Sequence, residues 1–300
     1  MSEVPVNAHR VSRNSTTAPI SVVIPAYNAE RFLAEAIQSV HDQTLKVAEI
    51  IVVADDCTDR TPQIAAELGA TVLEQKRRNM AAGLNLGVSA CTQPWIAFLD
   101  ADDVWDQDKI ALQWKAIETW PDTAIVSCDF FTLMDQKVTS RSKRHLRERW
   151  KNVKRVTTGH CHYIEKVDGG FLTRFFLATP SVVLRRDIFS KIGLLDESLI
   201  FGQTVEYFAR ILGRYPLAYI EKPLVYLRVH EHNHSRNFAG GWTSYISIVN
   251  RMLKHPELYP QGAGEAHRAY LKEVFLASER AVTRAKVNST KPQPSKPNQL

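Results

Sequence analysis

Three scarcities narrow what this 300-residue chain can be. No apolar run reaches 18 residues, and the opening MSEVPVNAHRVSRNSTTAP lacks the hydrophobic stretch of a secretory signal, so a soluble cytoplasmic protein is expected. The four cysteines, at 57, 91, 128 and 161, are far apart and form no CxxC pair. That excludes a zinc ribbon and a disulfide framework, and leaves free thiols. No internal repeat is present, which excludes a solenoid or a propeller.

What is there is ordinary globular composition, 44% hydrophobic and 23% charged, enough for the core of one large domain. The formal charge of +6 is local: RSKRHLRERWKNVKR, 141–155, holds eight Lys/Arg against one Glu, so the remainder is close to neutral. Such a segment either meets an anionic partner, such as the headgroups of a membrane surface or a phosphorylated acceptor, or is a solvated basic helix. Residues 1–18 and 287–300 are polar and without periodicity and read as disordered tails.

Between the tails, short apolar runs alternate with helical patterns, the pattern of βαβ units around a mainly parallel sheet. ISVVIP, EIIVV (49–53), TVL (71–73) and WIAFL (95–99) read as strands, with helices over 29–44, after Thr61-Pro62, and over 80–90. AIVSCDFF (124–131), SVVL and PLVYLRVH (223–230) are further strands, and 203–213 is helical. Residues 241–286 read as a helical extension, with Ile246, Val249 and Leu253 on one stripe.

The loops PAYN, ADDCTD and DADD each follow a strand directly, and open α/β sheets bind ligands at the carboxyl ends of their strands. In DADD, Asp100 and Asp102 sit at i and i+2, so in extended backbone both point to one side. Carboxylates that close repel unless a cation screens them. Hard oxygen ligands suit magnesium or manganese, which keep positions open for the phosphates of a substrate.

With SVVIPAYNAERFLAEAIQSVHDQT, EIIVVADDCTDRT, WIAFLDADDVW and KIGLLDESL in that order, the chain resembles the nucleotide-sugar-dependent inverting glycosyltransferases of the GT-A fold, family two, over roughly residues 20–235. The resemblance implies a GT-A-like, Rossmann-type three-layer sandwich over 19–240 and transfer of a sugar, commonly from a UDP-sugar, with inversion. It implies that Pro25, Ala26 and Tyr27 line the nucleotide base, that Asp55 hydrogen-bonds it, and that Asp100 lies beside the ribose and metal. Asp102 would coordinate Mn2+ or Mg2+ on the diphosphate, with His230 of YLRVH near the phosphates or metal. The acceptor, whether glycan, lipid-linked sugar or peptide, is not specified, and no nucleic acid is expected.

The chain also departs from that family. Ala54 stands where the first acidic residue of DDGSTD would be, and Leu84-Asn85 replaces an Arg-Asn pair, which removes a phosphate contact; Arg77 or Arg78 is either its substitute or plain surface charge. Thr204 of GQTVEY holds the position of the general base, and a threonine hydroxyl cannot accept a proton at neutral pH. Glu206 is the nearest carboxylate and the catalytic candidate, although two helical residues turn it by about 200°; it also matches a second acidic position of the family. Asp196, Glu197, His160 and His162 are other sources of a base. An easily deprotonated acceptor such as a thiol would need none.

Other signals have simpler explanations. His230, His232 and His234 alternate but lack a fourth zinc ligand. Trp95, Trp105, Trp114 and Trp120 read as packing, ATPSVV as core strand or acceptor wall, and Lys109 and Asp187 as surface or capping residues. A nucleotidyltransferase would open with a Gly-rich, Arg-bearing loop in place of PAYNAERF. The remaining alternative is a non-catalytic nucleotide-sugar-binding scaffold that has lost its base.

Overall fold

The computed structural model describes residues 16–76, 79–134, 137–140, 153–170, 177–231 and 238–272. The apolar runs become strands because both faces of the sheet are covered, so neither face tolerates polar alternation. β1 (Thr17–Ala26), β2 (Lys46–Asp55), β3 (Thr71–Gln75) and β4 (Trp95–Phe98) form the first half. β5 (Val104–Trp105), β6 (Ile125–Met134), β7 (Lys137–Ser140), β8 (Val156–Thr158), β9 (Cys161–Ile164), β10 (Val183–Arg185) and β11 (Leu217–Val229) complete it.

The strand order is β3-β2-β1-β4-β10-β6-β11-β9-β8, with β5 on β11 and β7 on β6. The long ladders are parallel: β1 on β2, β1 on β4, β2 on β3 and β6 on β11. Short antiparallel ladders made by β10, β5, β7, β8 and β9 fill in around them.

Helices α1 (Leu33–His41), α2 (Thr61–Glu67) and α4 (Lys109–Thr119) cover one face, and α3 (Met80–Ala90), α5 (Ile188–Ile192) and α6 (Gln203–Leu212) the other. Side-chain alternation divides the core accordingly. Val22, Ile24, Ala97 and Val126 join the α1 side, and Val23, Ile96, Phe98 and Ile125 the α6 side. On α1, Leu33, Ala36, Ile37 and Val40 are all buried, each large one contributing about 1.5–3 kcal/mol. Gly87 is required by proximity: a Cβ there would lie 2.4 Å from Val23 Cγ1, so only glycine lets α3 approach β1.

Several expectations shift. β1 begins at Thr17, inside the expected leader, with Ala18 fully buried. Helix α1 is shorter than 29–44, and β11 is longer than 223–230, running through Glu221–Pro223 by way of register shifts. The boundary drawn at 240/241 falls inside α7 (Phe238–Lys254), after which Pro256–Leu258 forms a 3-10 turn before a second helix, α8, over 263–272.

On α7 the inward residues are Ile248, Val249 and Met252, while Ile246 is 49% exposed. Ile248 and Met252 pack with Leu199, Ala209, Tyr259 and Ala263, so this region lies directly on α6. Most of the basic segment (141–152), both tails beyond 16–272, Arg77, Arg78, His232 and His234 lie outside the described residues. No helix among the described residues is long and apolar enough to cross a membrane, and Cys57, Cys91, Cys128 and Cys161 are free.

Candidate active site at the strand ends

β1 is flanked by β2 and β4, with Pro25 level with Val53, Ala26 with Ala54, and Val23 with Phe98. The loops after all three strands therefore leave the sheet on one edge, those of β2 and β4 two strand spacings apart, about 10 Å. Pro25 and Ala26 end β1, Tyr27 beyond them is 46% exposed, and Asp55 ends β2. Pro25, Ala26, Tyr27 and Asp55 are thus brought together at one edge of the sheet.

The first two loops are laced together by residues that the sequence reading passed over. Asn28 takes the left-handed conformation (φ 46°), and its Oδ1 accepts the Thr58 N–H at 2.8 Å. The Asn28 N–H donates to Cys57 Sγ (3.4 Å), and the Cys57 thiol donates to the Ala26 carbonyl (3.4 Å). Asp59 accepts the N–H of Glu30 (3.0 Å), and Glu30 accepts that of Arg60 (3.1 Å). Thr61 does not cap its own helix: its hydroxyl accepts the Ala29 N–H at 2.7 Å, tying α2 to the turn before α1. The spacing N-A-E after PAY and C-T-D-R-T after ADD was the available signal. Burial of Ala54 (2% exposed) shows why a short side chain suits that departure.

The third loop crowds three carboxylates. Asp100 Oδ1 is enclosed with no hydrogen-bond partner among the described residues, and burial, then the Asp102 charge, push its pKa up to about 7. Asp103 is buried; burial first, then the charges of Asp100 and Asp102, raise its pKa well above the usual range, against the Arg228 N–H that its Oδ1 accepts at 2.7 Å. Asp102 is half-buried, its side chain 27% exposed, and its Oδ2 lies 2.9 Å from His230 Nε2. Asp102 and His230, expected separately, thus meet. Among the described residues no group of three or more His, Cys, Asp or Glu is placed to hold a metal ion by itself. The enclosed Asp100 oxygen and the mutual repulsion fit a cation that takes its other ligands from a phosphate and water.

The acidic residue of α6 is treated differently. The carboxylate of Glu206 is fully buried: Arg210 Nε reaches both of its oxygens (2.9 and 3.1 Å), and the Tyr259 hydroxyl donates to Oε1 at 2.6 Å. Arg210 also donates to the carbonyls of Ile192 (3.0 Å) and Leu194 (2.8 Å). Glu206 is therefore the anchor of an internal network and is closed to an acceptor, which corrects its reading as the catalytic carboxylate.

Thr204 lies one half-turn above, its Oγ1 accepting from Thr179 Oγ1 at 3.0 Å; within ATPSVV, Thr179–Ser181 forms a 3-10 turn and only Val183 enters β10, so the segment is a turn leading into a strand. Asp196 pairs with Arg251, and Glu197 accepts from Asn85 Nδ2 at 3.0 Å. His160 and His162 sit at or beside β9, four strand spacings or about 19 Å from β4, where His162 bridges Thr157 (3.0 Å) and Glu221 (2.9 Å).

Trp95, Trp105 and Trp114 are buried, as expected of packing residues. Lys109 is a correction. It is fully buried on α4, its Nζ 2.8 Å from Gln113 Oε1 and 3.8 Å from the Trp105 ring centre, and burial lowers its pKa to about 7. Leu84 is core, while Asn85 fixes the Leu195 backbone through both ends of its amide (3.0 and 3.1 Å).

The fold is found in known proteins. The model for Glycosyl transferase family 2 matches residues 21–193. An uncharacterized glycosyltransferase of Rickettsia typhi is 25% identical over 248 residues, 81% of this chain and 74% of that protein. The mannosyltransferase PcManGT from Pyrobaculum calidifontis, solved in complex with GDP-Man and Mn2+, matches with a TM-score of 0.64 at 17% identity over 92% of this chain and 76% of that one. S. aureus TarS in complex with UDP-GlcNAc matches with a TM-score of 0.62 at 16% identity over 78% of this chain. The chain spans 66% of that TarS chain, about two thirds of its length. With the family model covering more than half of it, the chain belongs to Glycosyl transferase family 2 and is a glycosyltransferase of the GT-A fold.

Proposed function

We propose that the chain transfers a sugar from a nucleotide diphosphate donor, a UDP-sugar in the first instance, to an acceptor with inversion at the anomeric carbon. The observation that carries this reading is the meeting of Asp102 and His230 (2.9 Å) on the same sheet edge as the laced Tyr27 and Asp55 loops. Pro25, Ala26 and Tyr27 line the base and Asp55 hydrogen-bonds it. Asp100 and Asp102, with His230 alongside, hold Mn2+ or Mg2+ on the diphosphate. Bound there, the cation offsets the negative charge that gathers on the departing diphosphate. The neighbours solved with UDP-GlcNAc, and with GDP-Man and Mn2+, support a donor of this class. Arg78, outside the described residues, keeps its proposed phosphate contact, and the basic segment its proposed peripheral contact with an anionic membrane.

A threonine pair at the base position favours an acceptor whose nucleophile loses its proton readily, such as a thiol. It equally suits donor binding without transfer, which is the second reading. Both are tested by one panel: UDP- and GDP-sugars with and without Mn2+, hydroxyl and thiol acceptors, wild type against Asp102→Ala. Metal-dependent thermal stabilisation and turnover by the wild type alone is the expected result. Stabilisation without turnover on any acceptor selects the scaffold reading, and equal stabilisation of both proteins removes the metal assignment.

A further inference from the structure

We infer that Arg228 is a positioning residue that couples the nucleotide half of the donor site to its metal half; this rests on the donor and metal reading above. Arg228 and His230 are two residues apart at the end of β11, so they leave the strand on the same side and face the acidic loop together. They hold Asp102 at two points. Arg228 Nε donates to the Asp102 carbonyl at 2.8 Å, and His230 Nε2 meets the Asp102 carboxylate at 2.9 Å. The Arg228 backbone N–H adds a bond to Asp103 Oδ1 (2.7 Å), fixing the next residue of the loop.

The same guanidinium reaches away from the acidic loop to the helix that follows PAYN. Its terminal nitrogen pairs with Glu35 Oε2 at 2.6 Å, and its carbon lies 4.8 Å from the centre of the Phe32 ring. Phe32 in turn contacts the His230 ring, the centroids 5.0 Å apart and the planes tilted by 32°. One residue immediately before α1 thus touches both side chains that hold Asp102. A planar fork with separate Nε and terminal donors can serve a carbonyl on one loop and a carboxylate on a helix at once, whereas a lysine presents one point charge. Through Arg228, a displacement of α1 and its nucleotide loop moves the main chain of Asp102.

A coupling residue has a signature that a merely structural one lacks: its loss falls on the metal-dependent part of binding. The experiment is calorimetric binding of UDP and GDP with and without Mn2+, and of UMP and GMP without it, to wild type, Arg228→Met, Arg228→Lys and Glu35→Gln. In Arg228→Met the gain that Mn2+ gives to the diphosphate is expected to fall by about 10–100-fold, the range for residues supporting a metal ligand, with monophosphate binding unchanged. Arg228→Lys should recover part of the gain. Glu35→Gln, at a side chain 57% exposed and so safe for folding, should lose a smaller part of the same kind. Equal weakening of monophosphate and diphosphate in Arg228→Met and Glu35→Gln, or no weakening in either, overturns the inference. Absence of any Mn2+ effect in the wild type removes the reading beneath it, and is told apart by appearing before any substitution.

Discussion

The loop after β4 and helix α6 treat their carboxylates in opposite ways. At the end of β4, Asp100, Asp102 and Asp103 are crowded, with an enclosed oxygen on Asp100 and the pKa values of Asp100 and Asp103 pushed up, an arrangement that costs stability and that a cation would relieve. On the α6 side Glu206 is buried deeper yet fully matched by Arg210 and Tyr259. Crowding that leaves one carboxylate oxygen unmatched suits a ligand, whereas complete internal pairing makes a strut.

The comparison breaks most visibly at the strut. Glu206→Ala leaves Arg210 buried without its partner and should lower the unfolding free energy by about 3–5 kcal/mol, measured by denaturant melts. The protein that remains folded should bind nucleotide as the wild type does. Asp102→Asn is the reverse case. Donor turnover should fall on the order of 10²–10³-fold, while the metal-free protein melts no lower than the wild type because one of three crowded charges is gone.

Lys109 sharpens the contrast from within the core. Its folded pKa, about 7, lies below its ordinary 10.5, so between those values the unfolded chain binds more protons and stability rises with pH. Lys109→Met removes the buried amine. It should stabilise by about 1–4 kcal/mol at pH 6, the advantage shrinking as pH climbs from 7 towards 10.5 in melts followed across that range. The smallest effect belongs to the loop lacing. Asn28→Ala removes the acceptor of the Thr58 N–H and should cost about 1 kcal/mol of nucleotide affinity, equally with and without metal.

The donor side was legible because its parts are local. Each loop follows its strand within a few residues, and the apolar runs before PAYN, ADDCTD and DADD fix which edge they share. The α6 side was not, because the fate of Glu206 depends on Tyr259, 53 residues further on, and nothing near GQTVEY announces that partner. For Lys109 the side-chain partners Trp105 and Gln113 are local, and what the sequence does not announce is the packing of α4 on β6 and β11, which buries the amine. In α7 the apolar residues are so dense, at 245, 246, 248, 249, 252 and 253, that a helical period fits more than one stripe, and only contact with α6 selects Ile248 and Met252. The long β11 was cut short in the reading because Glu221, Lys222 and Pro223 interrupt its apolar run, an interruption absorbed by register shifts.

The most direct measurement is the anomalous signal of manganese in crystals grown with Mn2+ and the diphosphate that the wild type binds. The expected peak stands about 2.1 Å from a carboxylate oxygen of Asp102, with the nucleotide base against Tyr27 and Asp55. A peak away from Asp102, or a base bound elsewhere on the sheet, would contradict the account.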